Sequence, residues 1–357
     1  MKFLLPLFYL VLFLVCCTIG GIGYFEFTPP ERTCIQCHEI RKSKDNWATS
    51  AHREVSCKAC HGKSAESIAA LQDNSKRVLH HITGNYTDDK HLSEEQIVRM
   101  NAACGACHAS EYAHWKKSGH SASYATIFND TKHNHVEQIN PQCLWCHGMF
   151  HEGGVEQLIE PLTIKGPWHF KKPEIAERPS IACVSCHQVH VKGPTFASMR
   201  STTNRPPATL RNSLAFYIRG EKKHLAANKL MVPRITEQGR AVKVSADPAH
   251  RMCVQCHSPN AQGMAGSSDD KTPTGIHEGL SCMACHNPHS GDTRNACVKC
   301  HTDRSNSCRR DVTTMDTIYR NKASKADVHR MTCATCHPND AEARKRAASA
   351  RTSSKNL

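Results

Sequence analysis

One pentapeptide pattern governs what this chain can become. The spacing C-x-x-C-H occurs nine times, with first cysteines at Cys34, Cys57, Cys104, Cys143, Cys183, Cys253, Cys282, Cys297 and Cys333. Of 21 cysteines, only Cys16, Cys17 and Cys308 stand outside it. Chance arrangement of this composition would give the pattern about 0.1 times. Two thiols separated by two residues reach the two vinyl groups of one porphyrin, and the adjacent histidine supplies a nitrogen to its iron. Zinc would need paired C-x-x-C units, with no reason for a histidine after each second cysteine. A disulfide framework would not repeat one pentapeptide. The pattern predicts nine covalently attached haem c groups. Their thioethers would come from Cys34, Cys37, Cys57, Cys60, Cys104, Cys107, Cys143, Cys146, Cys183, Cys186, Cys253, Cys256, Cys282, Cys285, Cys297, Cys300, Cys333 and Cys336. Their proximal ligands would be His38, His61, His108, His147, His187, His257, His286, His301 and His337.

This expectation resolves two oddities of composition. Hydrophobic residues make up 39% of the 357-residue chain and aromatics 6%, and part of that share sits in the N-terminal run. The remainder is short of the side chains that build an ordinary core, so porphyrin faces would form much of the interior. The expected fold class is a multihaem cytochrome c, mainly α with much irregular structure wrapped around stacked haems, and with one N-terminal transmembrane helix. The formal charge of +14 would otherwise suggest nucleic acid or a membrane surface. Two propionates per haem would bring the holoprotein to about −4, and no interleaved basic and aromatic recognition module is visible. Nucleic acid is therefore not an expected partner.

Residues 3–25 carry no charged side chain and lie between Lys2 and Glu26, long enough to span a bilayer. A signal peptide is the rival reading, with Gly21 and Gly23 near a cleavage point, but the run is longer than a usual h-region. The expectation is an uncleaved anchor in contact with membrane lipid. The soluble part would face the periplasm, because c-type haems are attached outside the cytoplasm.

The first cysteines are spaced by 23, 47, 39, 40, 70, 29, 15 and 36 residues, too irregular for a solenoid of equal repeats. They suggest a membrane or signal segment at 1–26, a two-haem region at 27–75, a three-haem region at 76–200 and a four-haem region at 201–340. Residues 341–357 would form a basic flexible tail. Ser93 and Gln96 make a capping-box start for a helix that continues through Ile97 and Met100 towards Cys104. The spacing of Leu210, Leu214, Tyr217, Ile218 and Leu225 after Pro206-Pro207 predicts a second helix, an insert near 208–231. Arg211, Arg219, Lys222 and Lys223 would lie on its solvated face.

The sixth coordination position separates a carrier from an enzyme, since only an open iron binds a small ligand. Sixteen histidines lie outside the motifs, enough to close every iron. Recurring offsets single out His52 and His277, five residues before a motif, and His250 and His329 in the similar strings HRMCVQCH and HRMTCATCH. His190 and His289 follow a proximal histidine by three residues, and His151 by four. With His120 in WKKSGHSASY, these eight are the candidate distal ligands. Met149 and Met199 could ligate, but packing is their expected use.

The segment running from the apolar stretch through CIQCHEI, Trp47, SAHR and CKACH resembles the start of the NapC/NirT-type membrane-anchored quinol dehydrogenases. That resemblance implies electrons taken from membrane quinol, menaquinol or ubiquinol, and passed to periplasmic reductases. Ile40 departs from it, since the small nitrite-reductase electron-donor subunits carry a Met three residues past the first C-x-x-C pair. Residues 282–301, CMACHNPH then CVKCH, are similar to the doubled module of multihaem electron-transfer cytochromes. CGACHASEYAHWKKSGHSASY resembles the group containing tetrahaem carriers and hydroxylamine-oxidoreductase relatives. The C-x-x-C-K haem of ammonia-forming nitrite reductases is missing from the sequence.

Together these readings imply a nine-haem cytochrome relaying electrons in a respiratory chain, from the quinol pool to a periplasmic or outer-membrane acceptor. No residue is singled out as catalytic. The alternative is a reductase or oxidase of small nitrogen or sulfur compounds at one five-coordinate haem. Cys308 is expected to be a bystander thiol.

Overall fold

The computed structural model describes residues 4–33, 35, 38–62, 75–76, 79–84, 91–193, 212–237, 239–258, 271–291, 293, 296–301, 317 and 323–336. Cys34, Cys37, Met199, Leu210, Arg211, Cys308, His337 and the tail 341–357 lie outside these residues. Most of the described chain is short α- and 3₁₀-helices joined by irregular segments. Three two-stranded antiparallel ribbons, β1–β2 (Ile159–Glu160 and His169–Phe170), β3–β4 (Ala215–Ile218 and Lys223–Ala226) and β5–β6 (Thr236–Glu237 and Arg240–Ala241), complete it.

The chain divides into two compact units, Met1–Cys107 with Val189–Arg205, and His108–Gln188 with Pro206–Leu357. In the first, helix α1 (Leu4–Phe27) contains the apolar run. Leu5–Tyr24 has a mean hydropathy of 2.4 and buries none of itself in the protein. By length and composition this helix can cross a membrane. Lys58, inside the second motif, donates to the carbonyls of Glu26 (2.8 Å) and Thr28 (2.9 Å). These belong to the C-terminal end of α1, where backbone carbonyls lack helical partners and a cation is favoured.

Helix α2 (Glu94–Cys107) starts where its capping box predicts. The Ser93 amide donates to Gln96 Oε1 (3.0 Å) and the Gln96 amide to Ser93 Oγ (3.3 Å). Ile97 and Met100 are buried, and the helix delivers Cys104 and Cys107 at its end.

The second unit holds two small cores. One gathers Tyr124, Phe128, Leu144, Val155, Leu158, Ile159 and Trp168. The other joins Met149, Phe216, Tyr217, Ala227 and Leu230. Leu158 is completely buried. Leu158→Ala is expected to cost about 2–4 kcal/mol, read as a lower melting temperature of the holoprotein with its haem content unchanged.

The helix predicted near 208–231 is not found among the described residues 212–231. Residues 215–226 form the hairpin β3–β4, in which Phe216 pairs with Leu225 and Tyr217 with His224. Ala215, Phe216 and Tyr217 are all buried, so this short apolar run is covered on both faces and is not a helical stripe. Branched and aromatic side chains suit a strand, and Lys222, in the left-handed conformation at φ 49°, reverses the chain. Arg219 is not on a solvated face either. Its guanidinium donates to the carbonyls of Gly148, Met149 (both 3.4 Å), His151 and Gly153 (2.5 Å), strapping the loop that follows the fourth motif.

Candidate haem-binding site

Each described motif is built on a helical turn. Cys57–His61, Cys183–Ser185, Cys282–Ala284, Ala296–Cys300 and Cys333–Cys336 are short helices, and helix α3 (Pro248–His257) carries the sixth motif entire. The motif histidine donates its amide to the first cysteine's carbonyl at His147 (2.8 Å), His187 (3.1 Å), His286 (2.8 Å) and His301 (2.8 Å). A bond between residues four apart places the two thiols and the imidazole on one side of the turn. Polar residues start several turns, with Asn140, Asp247 and Ser281 side chains accepting from the amides of Gln142, Ala249 and Met283. Burial pushes the Cys186 thiol up to about 11, and burial also raises Cys60 and Cys143.

The histidines come together in pairs. His61 faces His190 at 6.0 Å between ring centroids, His120 faces His257 at 6.3 Å, and His187 faces His289 at 6.1 Å. His277 lies 6.4 Å from His301, and His286 lies 6.1 Å from His329 with the rings only 13° from parallel. A metal–imidazole bond of about 2 Å on each side puts two trans ring centres about 6.3 Å apart. The spacing therefore fits two imidazoles on one iron.

The outer nitrogens are held as well, the arrangement that fixes ring orientation in metal sites. His277 Nδ1 lies 2.9 Å from the Val328 carbonyl, and His329 Nδ1 lies 3.0 Å from the Asp327 carboxylate. His120 bonds the Pro288 carbonyl and His286 the Gly291 carbonyl. Burial holds His120, His190, His286 and His289 below the usual imidazole range, so each offers a neutral ring with a free lone pair. The residues present fit haem c: thiols in pairs, one imidazole in each turn, and a second imidazole opposite.

Of the eight distal candidates, His120, His190, His277, His289 and His329 stand opposite a motif histidine. His151 packs edge-on to Tyr124, with ring centroids 6.4 Å apart. His52 follows a tight turn, its amide donating to Ser50 Oγ (3.0 Å). His250 is completely buried, its Nδ1 3.3 Å from the Cys282 amide and 3.2 Å from Cys282 Sγ.

His81 was not among the candidates, yet it lies 5.6 Å from His38. The Glu39 carboxylate sits 2.5 Å from His81 Nδ1 and 3.8 Å from His38 Nε2, and the three side chains form a group able to hold a metal ion. Its sequence signal is slight, a tandem His80-His81 with no repeated offset. His147 is anchored by the bond to Cys143 and buried Met149 packs in the second core. His108 heads the helix Ala109–Lys116.

Comparison with known proteins agrees with this chemistry. The family model described as cytochrome c554 and c-prime matches residues 26–62, 103–188 and 217–287. These blocks make up more than half of the chain and contain the first seven motifs. The cytochrome c-type protein NrfH of Wolinella succinogenes is 28% identical over 95 residues, which is 25% of this chain and 52% of that protein. The chain thus spans about half the length of the curated relative it matches. No solved structure matches it. Repeated attachment turns, imidazoles set at an axial spacing and the matched blocks lead to one conclusion: the chain is a multihaem c-type cytochrome that belongs to the cytochrome c554 and c-prime family.

Proposed function

We propose that this protein binds nine haem c groups and relays electrons, without chemistry of its own, from membrane quinol to a periplasmic or outer-membrane acceptor. The observation that carries the reading is the set of histidine pairs 6.0–6.4 Å apart. An iron closed on both faces exchanges electrons but cannot take a substrate. When bound, each haem supplies a one-electron ferric/ferrous couple whose potential follows its axial ligands, burial and nearby charge.

The chain's own part is to hold the rings, exclude water and fix where electrons enter. The resemblance of residues 1–62 to quinol dehydrogenases supports entry at the membrane, as does the Lys58 tie between the second motif and the end of α1. In this reading α1 stays attached as an anchor and the haem-bearing part faces the periplasm.

Pyridine haemochrome analysis of the purified protein should give about nine haems per chain. Electron paramagnetic resonance of the oxidised form should show low-spin signals alone, and carbon monoxide should leave the reduced spectrum unshifted. A high-spin signal worth one haem, with a matching carbon monoxide shift, would overturn the pure carrier in favour of an enzyme acting on small nitrogen or sulfur compounds.

A further inference from the structure

Two of the histidines that stand opposite a motif ring sit on turns that touch each other. His277, opposite His301 of the eighth motif, ends the 3₁₀ turn Gly275–His277. His329, opposite His286 of the seventh motif, lies in the 3₁₀ turn Val328–Arg330. Each turn therefore serves a different motif, and the two run side by side.

Three hydrogen bonds join them. The Thr274 amide donates to the His329 carbonyl (2.7 Å) and the Ile276 amide to the Met331 carbonyl (2.9 Å). The third comes from a ring, His277 Nδ1 donating to the Val328 carbonyl at 2.9 Å. A carbonyl can only accept, so this bond fixes the proton on Nδ1 and leaves Nε2 its lone pair. Thr274 and Met331 are buried on either side of the contact.

The outer end of each turn is tied down. The Glu278 carboxylate, next after His277, accepts from both guanidinium nitrogens of Arg240 (2.7 and 2.5 Å) and from the Lys243 amide (2.7 Å). On the other turn the Asp327 carboxylate accepts from the His329 amide at 2.9 Å.

Between these ties the turns approach most closely at one glycine. Gly275 has φ 69°, a left-handed conformation open to glycine. A Cβ there would fall well inside 3.0 Å of the Met331 carbonyl oxygen. That oxygen is backbone and already accepts from Ile276, so a side chain at 275 is admitted only by parting the turns. Parting them takes the Val328 carbonyl from the His277 ring and the Thr274 amide from the His329 backbone at once.

We propose that these turns form one latch holding the sixth ligands of two irons, those of the seventh and eighth motifs, with Gly275 as its positioning residue. The inference rests on the relay reading above and adds a coupling to it: unless an imidazole is removed outright, the two irons open together.

The test uses the full-length holoprotein, read by electron paramagnetic resonance when oxidised and by carbon monoxide when reduced, since only an open iron binds the gas. Gly275→Ala should add a high-spin signal and a carbon monoxide shift worth two haems to the wild-type spectra. His277→Ala and His329→Ala remove one ring each and should add one haem's worth. Gly239 also has positive φ, 77°, but nothing lies within 4 Å of a Cβ built there. Gly239→Ala thus carries the backbone strain without the collision and should match wild type. A Gly275→Ala protein with the wild-type number of haems that opens none of them, or only one, would overturn the latch and leave the relay standing. A wild-type protein without the haems would instead sink the relay itself.

If Gly275→Ala yields no loaded protein, the wild-type protein still decides. Segments that part as one unit lose hydrogen-exchange protection as one unit, so residues 271–280 and 326–332 should do so at the same denaturant concentration. Two separate midpoints would overturn the latch.

Discussion

Replacing His329 by alanine should add one high-spin ferric haem to the spectrum and a carbon monoxide shift of matching size. His329 stands 6.1 Å from His286, nearly parallel to it, and the Asp327 carboxylate receives both its amide (2.9 Å) and its Nδ1 (3.0 Å). Burial alone would push the Asp327 carboxyl up, but the hydrogen bonds from the His329 amide and ring hold it below its usual range. Asp327 thus stays ionised to orient the ring, and the opposite nitrogen is left for iron. Removing the imidazole leaves the backbone bond from the Thr274 amide to the His329 carbonyl (2.7 Å) in place, so the segment keeps its anchor. Added imidazole should bind the opened site and restore the low-spin signal. An unchanged spectrum in a protein carrying its full haem complement would remove His329 from the ligand set.

Exchanging residues 1–27 for a cleavable leader should move the whole protein from the carbonate-resistant membrane fraction to the soluble one. The apolar span Leu5–Tyr24 buries none of its side chains in the protein, so no internal contact accounts for its hydropathy. A charge at its centre should weaken insertion, with Leu12→Arg costing about 3 kcal/mol. Intact mass of the wild-type protein should include residues 1–25. A mature chain lacking them, soluble from the start, would show the span to be a leader.

What could be read from the sequence was whatever depends on a local turn. The C-x-x-C-H units fold as short helices because their spacing matches one helical turn, and α2 begins at its capping box. Partners far apart in sequence were legible mainly where an offset repeats, with His120, which faces His257, the exception. His277, His289 and His329 stand opposite motif histidines, and His250, chosen for its likeness to His329, lies beside Cys282. The likeness lies in the string alone. In α3 the helix runs on from His250 through the motif, whereas His329 lies in a separate 3₁₀ turn before Cys333. The hairpin at 215–226 was misread because its apolar residues also fall at helical intervals, and burial of both faces is a property of the surroundings.

The contrast between a local turn and a remote partner dictates a chronology of maturation. A motif turn closes within five residues, so attachment can proceed on a chain that has not yet collapsed. Ring opposite ring is a later event. His257 and His301 meet histidines that precede them in the chain, whereas His61 must wait for His190, His187 for His289 and His286 for His329. Throughout that wait any free imidazole can occupy the vacant face. Mispaired irons should therefore be the dominant trapped species when this protein is produced faster than it can sort its ligands.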